Sequence, residues 1–157
     1  MNLRLHDKVS HRGNDYQVEG LLDYQLDSCS LRLACLRGPG AALFLEPPTS
    51  EMADRVLLFS EIANLDIATP PPAIIDHRGE SYLLKVSGTA QIAIAGQARD
   101  RQPTTCALWR YRAAGDQFLQ IEQWPDRVRT LAGASVHRSM VDIRPATSKD
   151  SKDSKDS

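Results

Sequence analysis

Apolar and polar residues alternate with a period of two through most of the chain. Tyr82, Leu84 and Val86 alternate with Leu83, Lys85 and Ser87, and from Thr89 to Ala95 small residues alternate with Ile92 and Ile94. Earlier, Tyr16, Val18 and Leu22 stand among polar residues, and Leu31, Leu33 and Cys35 face away from Arg32 and Ala34. Successive side chains of an extended chain point to opposite faces, so this period predicts strands. Gly38-Pro39-Gly40 is a strong turn signal and Ala41–Glu46 follows it, which predicts a hairpin over residues 29–46. A second hairpin is predicted over 104–124. There Ala107, Trp109 and Tyr111 alternate with Leu108, Arg110 and Arg112, Ala113-Ala114-Gly115-Asp116 turns the chain, and Gln117–Trp124 returns. This alternation predicts a core face of aromatics and a solvated face of arginines. Helix signals are weak: Ser50 with acids after it suggests a short helical turn at Thr49–Ala53, but Val56-Leu57-Leu58-Phe59 reads as a strand.

The pattern occurs twice. His11-Arg12-Gly13, two residues and Tyr16 recur 66 residues later as His77-Arg78-Gly79, two residues and Tyr82. Glu46, Asp54-Arg55-Val56 and Asp66-Ile67 are echoed, in the same order, by Glu122, Asp126-Arg127-Val128 and Asp142-Ile143. A repeat at a roughly constant spacing constrains architecture before any local assignment. Pro70-Pro71-Pro72 cannot continue a strand ladder and separates the two occurrences. The expected fold is therefore mostly β: two tandem, pseudo-symmetric small curved sheets or half-barrels that share a core. The expected divisions are a first copy over 1–69, a proline linker at 70–72, a second copy over 73–147 and a tail over 148–157. That tail repeats Ser-Lys-Asp three times, has no apolar residue and is expected to be disordered. A copy of about 70 residues has little margin alone, so the two are expected to form one globular unit.

Composition excludes several classes. With 41% hydrophobic residues among 157, a substantial core is available. No run approaches the ~18 apolar residues of a membrane span. The start, Met1-Asn2-Leu3-Arg4-Leu5-His6-Asp7, lacks an apolar leader segment, so a cytoplasmic location is expected. Net charge is −1, which argues against a nucleic-acid binder. Residues 1–72 hold six basic against ten acidic residues, whereas 73–147 hold ten against seven. Two oppositely charged copies can pack on one another, or the second can face an acidic partner. Cys29, Cys35 and Cys106 form no C-x-x-C pair and read as reduced, half-buried or buried thiols.

The opening Gly13, Tyr16, Val18 and Gly20, the hairpin after it, and Phe118-Leu119-Gln120-Ile121-Glu122-Gln123-Trp124 with a charged turn and Gly133 resemble the bacterial domain of unknown function DUF4178 over residues 3–145. Two copies commonly follow one another in that family. Ser28-Cys29-Ser30-Leu31-Arg32-Leu33 lacks the tryptophan that many members carry in the first hairpin. The resemblance brings no activity and no catalytic residue. Some members of the family lie beside membrane-stress and polyamine-related genes, so the resemblance implies an accessory role in a multi-protein, envelope- or stress-related system.

Catalytic signatures are missing. The chain has no P-loop, no dinucleotide fingerprint and no G-x-S-x-G elbow, and no cofactor is expected. His11 and His77 are equivalent in the repeat, but each His-Arg-Gly reads as a turn with glycine at positive φ. His6 and His137 stand alone, and no metal is expected. Glu46 and Glu122, each ending an aromatic-containing strand, suggest either paired acids or one structural ion pair per copy, with Arg55 and Arg127 as natural partners.

Two functional classes remain. The first is a non-catalytic binding or adaptor module with a protein partner, whose surface is the arginine face Arg110, Arg112, Arg127 and Arg129. The second is a small-ligand binder or enzyme with a pocket between the copies near His11, His77, Glu46 and Glu122. An exposed patch marks the first and a closed cavity with convergent polar groups marks the second.

Overall fold

Strands with two apolar faces need a cover on both sides. The chain supplies one by closing its sheet on itself and the other by laying ribbons against the outside. A computed structural model describes residues 1–63, 65–96 and 104–146. The Ser-Lys-Asp tail lies outside the described residues. Eleven strands follow in order: β1 (Lys8–His11), β2 (Asn14–Gln25), β3 (Ser30–Arg37), β4 (Leu43–Glu46), β5 (Arg55–Ile62), β6 (Ile74–His77), β7 (Glu80–Gly96), β8 (Thr104–Ala113), β9 (Gln117–Gln123), β10 (Val128–His137) and β11 (Val141–Arg144). A 3-10 turn at Arg138–Met140 precedes β11. Thr49–Ala53, predicted as a helical turn, forms tight turns in which the Met52 N–H donates to Thr49 O at 3.2 Å.

The mostly-β prediction holds, as one closed barrel. Around it the eight strands run β2, β3, β4, β5, β10, β9, β8 and β7, and β7 returns to β2. Every pairing is antiparallel. Closure removes the open edges that a flat sheet would expose. The seam runs from Gly20 opposite Gly96 to Gln25 opposite Gln91. β2 and β7 are long enough to serve two purposes. Their second halves pair with each other, and their first halves leave the barrel wall to pair with β1 and β6. The ladders slip between Val18 and Gly20 on β2 and between Leu84 and Val86 on β7. Such bulges bend and twist a strand, and here they sit where each strand changes partner. β11 covers the outer edge of β1, with Lys8 opposite Arg144.

The two outlying hairpins share their geometry. Arg12 and Gly13 have φ of 51° and 75°, and Arg78 and Gly79 have 51° and 80°. Two-residue turns whose twist suits a hairpin need positive φ at both central positions. The glycine is at home there, and its arginine neighbour accepts the strain. Ser10 Oγ donates to Asp15 Oδ1 at 2.6 Å on one hairpin, and Ser81 Oγ donates to Asp76 Oδ1 at 2.6 Å on the other.

Three apolar clusters result. The largest fills the lumen and draws on all eight wall strands, including Leu22, Leu33, Phe44, Phe59, Ile92, Leu108, Phe118 and Leu131. A second, with Leu3, Val9, Tyr16, Leu36, Leu45 and Val56, lies under the β1–β11 ribbon. A third, with Ile75, Tyr82, Tyr111, Leu119 and Ile121, lies under β6. Neighbouring residues such as Phe44 and Leu45, or Phe118 and Leu119, thus enter different cores. Gly133 on β10 lies between Phe59 and Phe118 in register. A methyl group there would meet the Leu58 carbonyl oxygen and the Phe59 ring. Gly133→Ala is expected to cost about 1–3 kcal/mol, read as a lower urea midpoint with unchanged slope.

Candidate functional site

The lumen is not wholly apolar. Alternation on β9 turns Gln120 and Glu122 to the same side as Phe118, and both are fully buried. Arg110 on β8 follows Leu108 inward, Arg129 on β10 does the same, and Tyr24 enters from β2. Glu46, the last residue of β4, is buried at the wall beside Arg110.

These side chains form one chain of bonds. Glu122 is its hub. Its Oε1 accepts from Arg129 Nε at 2.9 Å and Trp124 Nε1 at 2.7 Å, and its Oε2 accepts from Tyr24 Oη at 2.8 Å and Gln120 Nε2 at 2.6 Å. Arg129 Nη2 also donates to Tyr24 Oη at 3.0 Å. Gln120 Oε1 accepts from Arg110 Nε at 2.9 Å and Nη2 at 2.5 Å, and Arg110 Nη1 reaches Glu46 Oε2 at 3.0 Å. Glu46 Oε1 lies 2.7 Å from Arg110 Nη2 but is poorly aligned as an acceptor and has no other partner. Aromatic rings flank the cations: Arg110 lies 5.4 Å from the Phe59 centroid, and Arg129 lies 4.9 Å from that of Phe44 and 5.7 Å from that of Trp124. Two arginines and two glutamates leave the lumen formally neutral, as buried charge requires.

Burial, followed by the charge of Glu122, holds the Tyr24 phenol well above its ordinary value, so it donates as a neutral hydroxyl. Burial opposes the charge on Arg129, but Glu122 and Tyr24 more than offset this and its pKa rises. Cys106 is pushed up to about 12 and Cys35 to about 11, in both cases chiefly by burial. A thiol so held is a poor nucleophile. At pH 8 both are expected to resist iodoacetamide in the folded protein and to label fully in denaturant, as mass spectrometry of the peptides would show.

The four arginines proposed as an outer face do not share one. Arg110 and Arg129 point into the lumen and are 6% exposed. Arg112 is exposed, pairs with Asp116 and lies over the Phe118 ring. Arg127 is exposed and pairs with Glu61 at 3.4 Å. The expected division into an aromatic core face and an arginine solvent face fails at Arg110 and Tyr111, where both faces of β8 are covered; only at Arg112, near its end, does the arginine face reach solvent. Tyr111 is buried in the outer cluster and Arg110 in the inner one.

Of the pocket residues, Glu46 and Glu122 are brought into one network through Arg110 and Gln120. The two histidines are elsewhere. His11 Nδ1 lies 3.2 Å from Met140 O, and the His77 ring lies 6.4 Å from that of Tyr82. Their hairpins leave the antiparallel seam in opposite directions. Each glutamate does have an arginine, but the partners are Arg110 and Arg129, not Arg55 and Arg127.

Tyr24 carries no motif, and Gln120 and Trp124, though part of the run that resembles the family, have no role that the sequence assigns them. The available signal was Gln120 and Glu122 at i and i+2 in the strand run Phe118–Glu122, in phase with Phe118, which places two polar groups on one buried face.

Open depressions of about 540 and 690 Å³ flank Gln25 and Gln91 at the seam, the first lined by Asp23, Arg32 and Ile92 and the second by Asp27, Ser87 and Thr105. Among the described residues no group of three or more His, Cys, Asp or Glu is placed to hold a metal ion, and no helix is long and apolar enough to cross a membrane.

These features define a class: a closed, eight-stranded antiparallel barrel whose lumen is filled by its own apolar side chains and an internal ion-pair network. The family model for the domain of unknown function DUF4178 matches residues 4–138, and the chain belongs to that family. No curated protein matches the chain. No solved structure matches it either.

Proposed function

We propose that this chain is a non-catalytic binding or adaptor module that works from its outer surface within a larger assembly, and that its barrel is built from two tandem copies of one half-barrel. One observation carries the functional reading. An eight-stranded barrel either fills its lumen with side chains or holds one small ligand there, and this lumen is occupied by a network whose groups answer one another, from Tyr24 through Glu122 and Gln120 to Arg110 and Glu46. The two-copy reading is supported by the matched hairpin turns, the bulges at corresponding places on β2 and β7, and the pairing of β2 with β7 and of β5 with β10.

Native mass spectrometry of the protein, gently purified from its own cells, tests the functional reading. A second polypeptide at fixed stoichiometry is the expected result. A lone chain carrying a stoichiometric small mass would replace it with the ligand-binding alternative. That alternative has one feature in its favour: Glu46 also lines a depression of about 170 Å³ with Ser30, Arg32 and Thr49.

A further inference from the structure

The β1 and β6 hairpins are alike in turn and register, but they end differently. β1 sits opposite β2 with Lys8 across from Gln17, and β6 sits opposite β7 with Ile74 across from Leu83. β11 covers the outer edge of β1. Among the described residues β6 pairs with β7 alone. The side chains differ in step with this. Lys8 and Gln17 are polar and exposed. At the same two places on the open hairpin stand Ile74, 56% exposed, and Leu83, 45% exposed, two of four large exposed hydrophobic residues among those described. Proteins normally guard an open edge with a short strand, a charge (lysine above all), proline or a bulge; Ile74-Ile75-Asp76-His77 is short and carries Asp76, but it has no lysine, proline or bulge.

We propose that β6 is a homodimer edge, on which β6 of a second copy of this chain pairs antiparallel across a two-fold axis. The backbone sets the register. Ala73 O accepts from the Leu84 N–H at 2.9 Å, so the alternate residues Ile74 and Asp76 turn their N–H and C=O groups outward. A two-fold can match these groups in three registers: Ile74 with Asp76 of the second copy, Ile74 with itself, or Asp76 with itself. Self-pairing of Asp76 would set two carboxylates face to face, which is unfavourable, and self-pairing of Ile74 would set Asp76 opposite Pro72, which has no N–H to donate. The mixed register avoids both, places Ile75 opposite Ile75 of the second copy, and brings the two Ile74–Leu83 pairs into diagonal contact. A net charge of −1 gives two copies little reason to repel. The fold already pairs strands this way internally, where β2 meets β7 and β5 meets β10, each antiparallel. The proposal goes beyond the adaptor reading and stands on the hairpin alone: a dimer without any second kind of protein would remove that reading and keep this one.

An edge of four residues buries less than a standard interface, so the dimer is weak and concentration-dependent. Sedimentation velocity of the full chain up to about 1 mM is expected to show it. The double variant Ile74→Lys/Leu83→Gln, which places the β1-hairpin residues on the β6 hairpin, is expected to raise the dissociation constant at least about tenfold, with an unchanged circular dichroism spectrum. In the wild type, amide exchange at Ile74 and Asp76 is expected to slow with rising protein concentration. A wild type that stays monomeric through this range, a dimer untouched by the double variant, or protection of these amides only when a different protein is added would each overturn the proposal.

Discussion

Glu122→Leu is expected to abolish stable folding. Four donors lose their acceptor at once: Arg129, Trp124, Tyr24 and Gln120. Breaking one partner of a buried ion pair alone costs about 3–5 kcal/mol, because the remaining charge stays buried without compensation. Each further orphaned donor adds about 1–3 kcal/mol. Together these costs are about as large as the whole stability of a typical domain, about 5–15 kcal/mol. Glu122→Gln keeps the shape and one acceptor oxygen, so it should fold with reduced stability. The informative comparison is the double variant Arg129→Met/Glu122→Gln. It removes both charges and is expected to be more stable than Arg129→Met alone, as denaturant titration of the four corners of the cycle would show. If Glu122→Gln costs as much in the Arg129→Met background as in the wild type, the pair is not coupled and Glu122 is not the hub of the lumen.

The second large effect is alkaline unfolding. Burial holds Cys35 at about 11 and Cys106 at about 12. In the unfolded chain a thiol ionises near 8.5. Above that pH the unfolded state sheds protons that the folded state retains, so the unfolded state gains. The stabilisation is complete below about pH 8.5 and is lost progressively as pH rises toward the folded values. The Tyr24 phenol, also raised by burial, adds to the loss once pH passes the ordinary tyrosine value of about 10. Each group contributes about 1.4 kcal/mol per pH unit within its window. Between pH 8.5 and 10.5 the two thiols together should remove roughly 3–5 kcal/mol. Urea midpoints at half-unit pH steps would reveal the slope, and Cys106→Ala should flatten it whatever it does to stability at neutral pH. A midpoint that does not move between pH 8 and 10.5 would show that burial does not keep the thiols protonated.

The parts of the fold that were legible in the sequence are local. The hairpins over 29–46 and 104–124 follow from alternation broken by Gly38-Pro39-Gly40 and by Ala114-Gly115-Asp116. The two His-Arg-Gly turns follow from glycine after a short extended run. Closure was not legible, because it depends on how far β2 and β7 continue past the point where each leaves its hairpin. The seam joins Gly20–Gln25 to Gln91–Gly96, segments with no local signal that they belong together. Orientation was not legible for a different reason. Alternation defines two faces without saying which is inside, and here the outer face is also covered. Tyr111 and Arg110 are both buried, in different cores, so the usual assumption that arginine marks solvent fails at Arg110. Position along the repeat matches Glu46 with Glu122. In strand terms Phe44-Leu45-Glu46 aligns instead with Phe118-Leu119-Gln120, since both phenylalanines enter the lumen and both leucines leave it. That shift hides Gln120, the bridge of the network, from a comparison of the two halves.

The network also governs when the chain can fold. Glu46 meets Arg110 across 64 positions of sequence, Tyr24 meets Glu122 across 98, and Tyr24 meets Arg129 across 105. While the first half emerges from the ribosome, the cation for its buried carboxylate has not yet been synthesised. At about 5–20 residues per second, several seconds pass before Arg110 follows Glu46. During that interval a collapsed first half would bury Glu46 unpaired, so the half-chain is expected to remain open. With so many contacts between distant positions, the later search is a slow one. The nascent first half is therefore expected to be a client for holding factors until the second half completes the barrel.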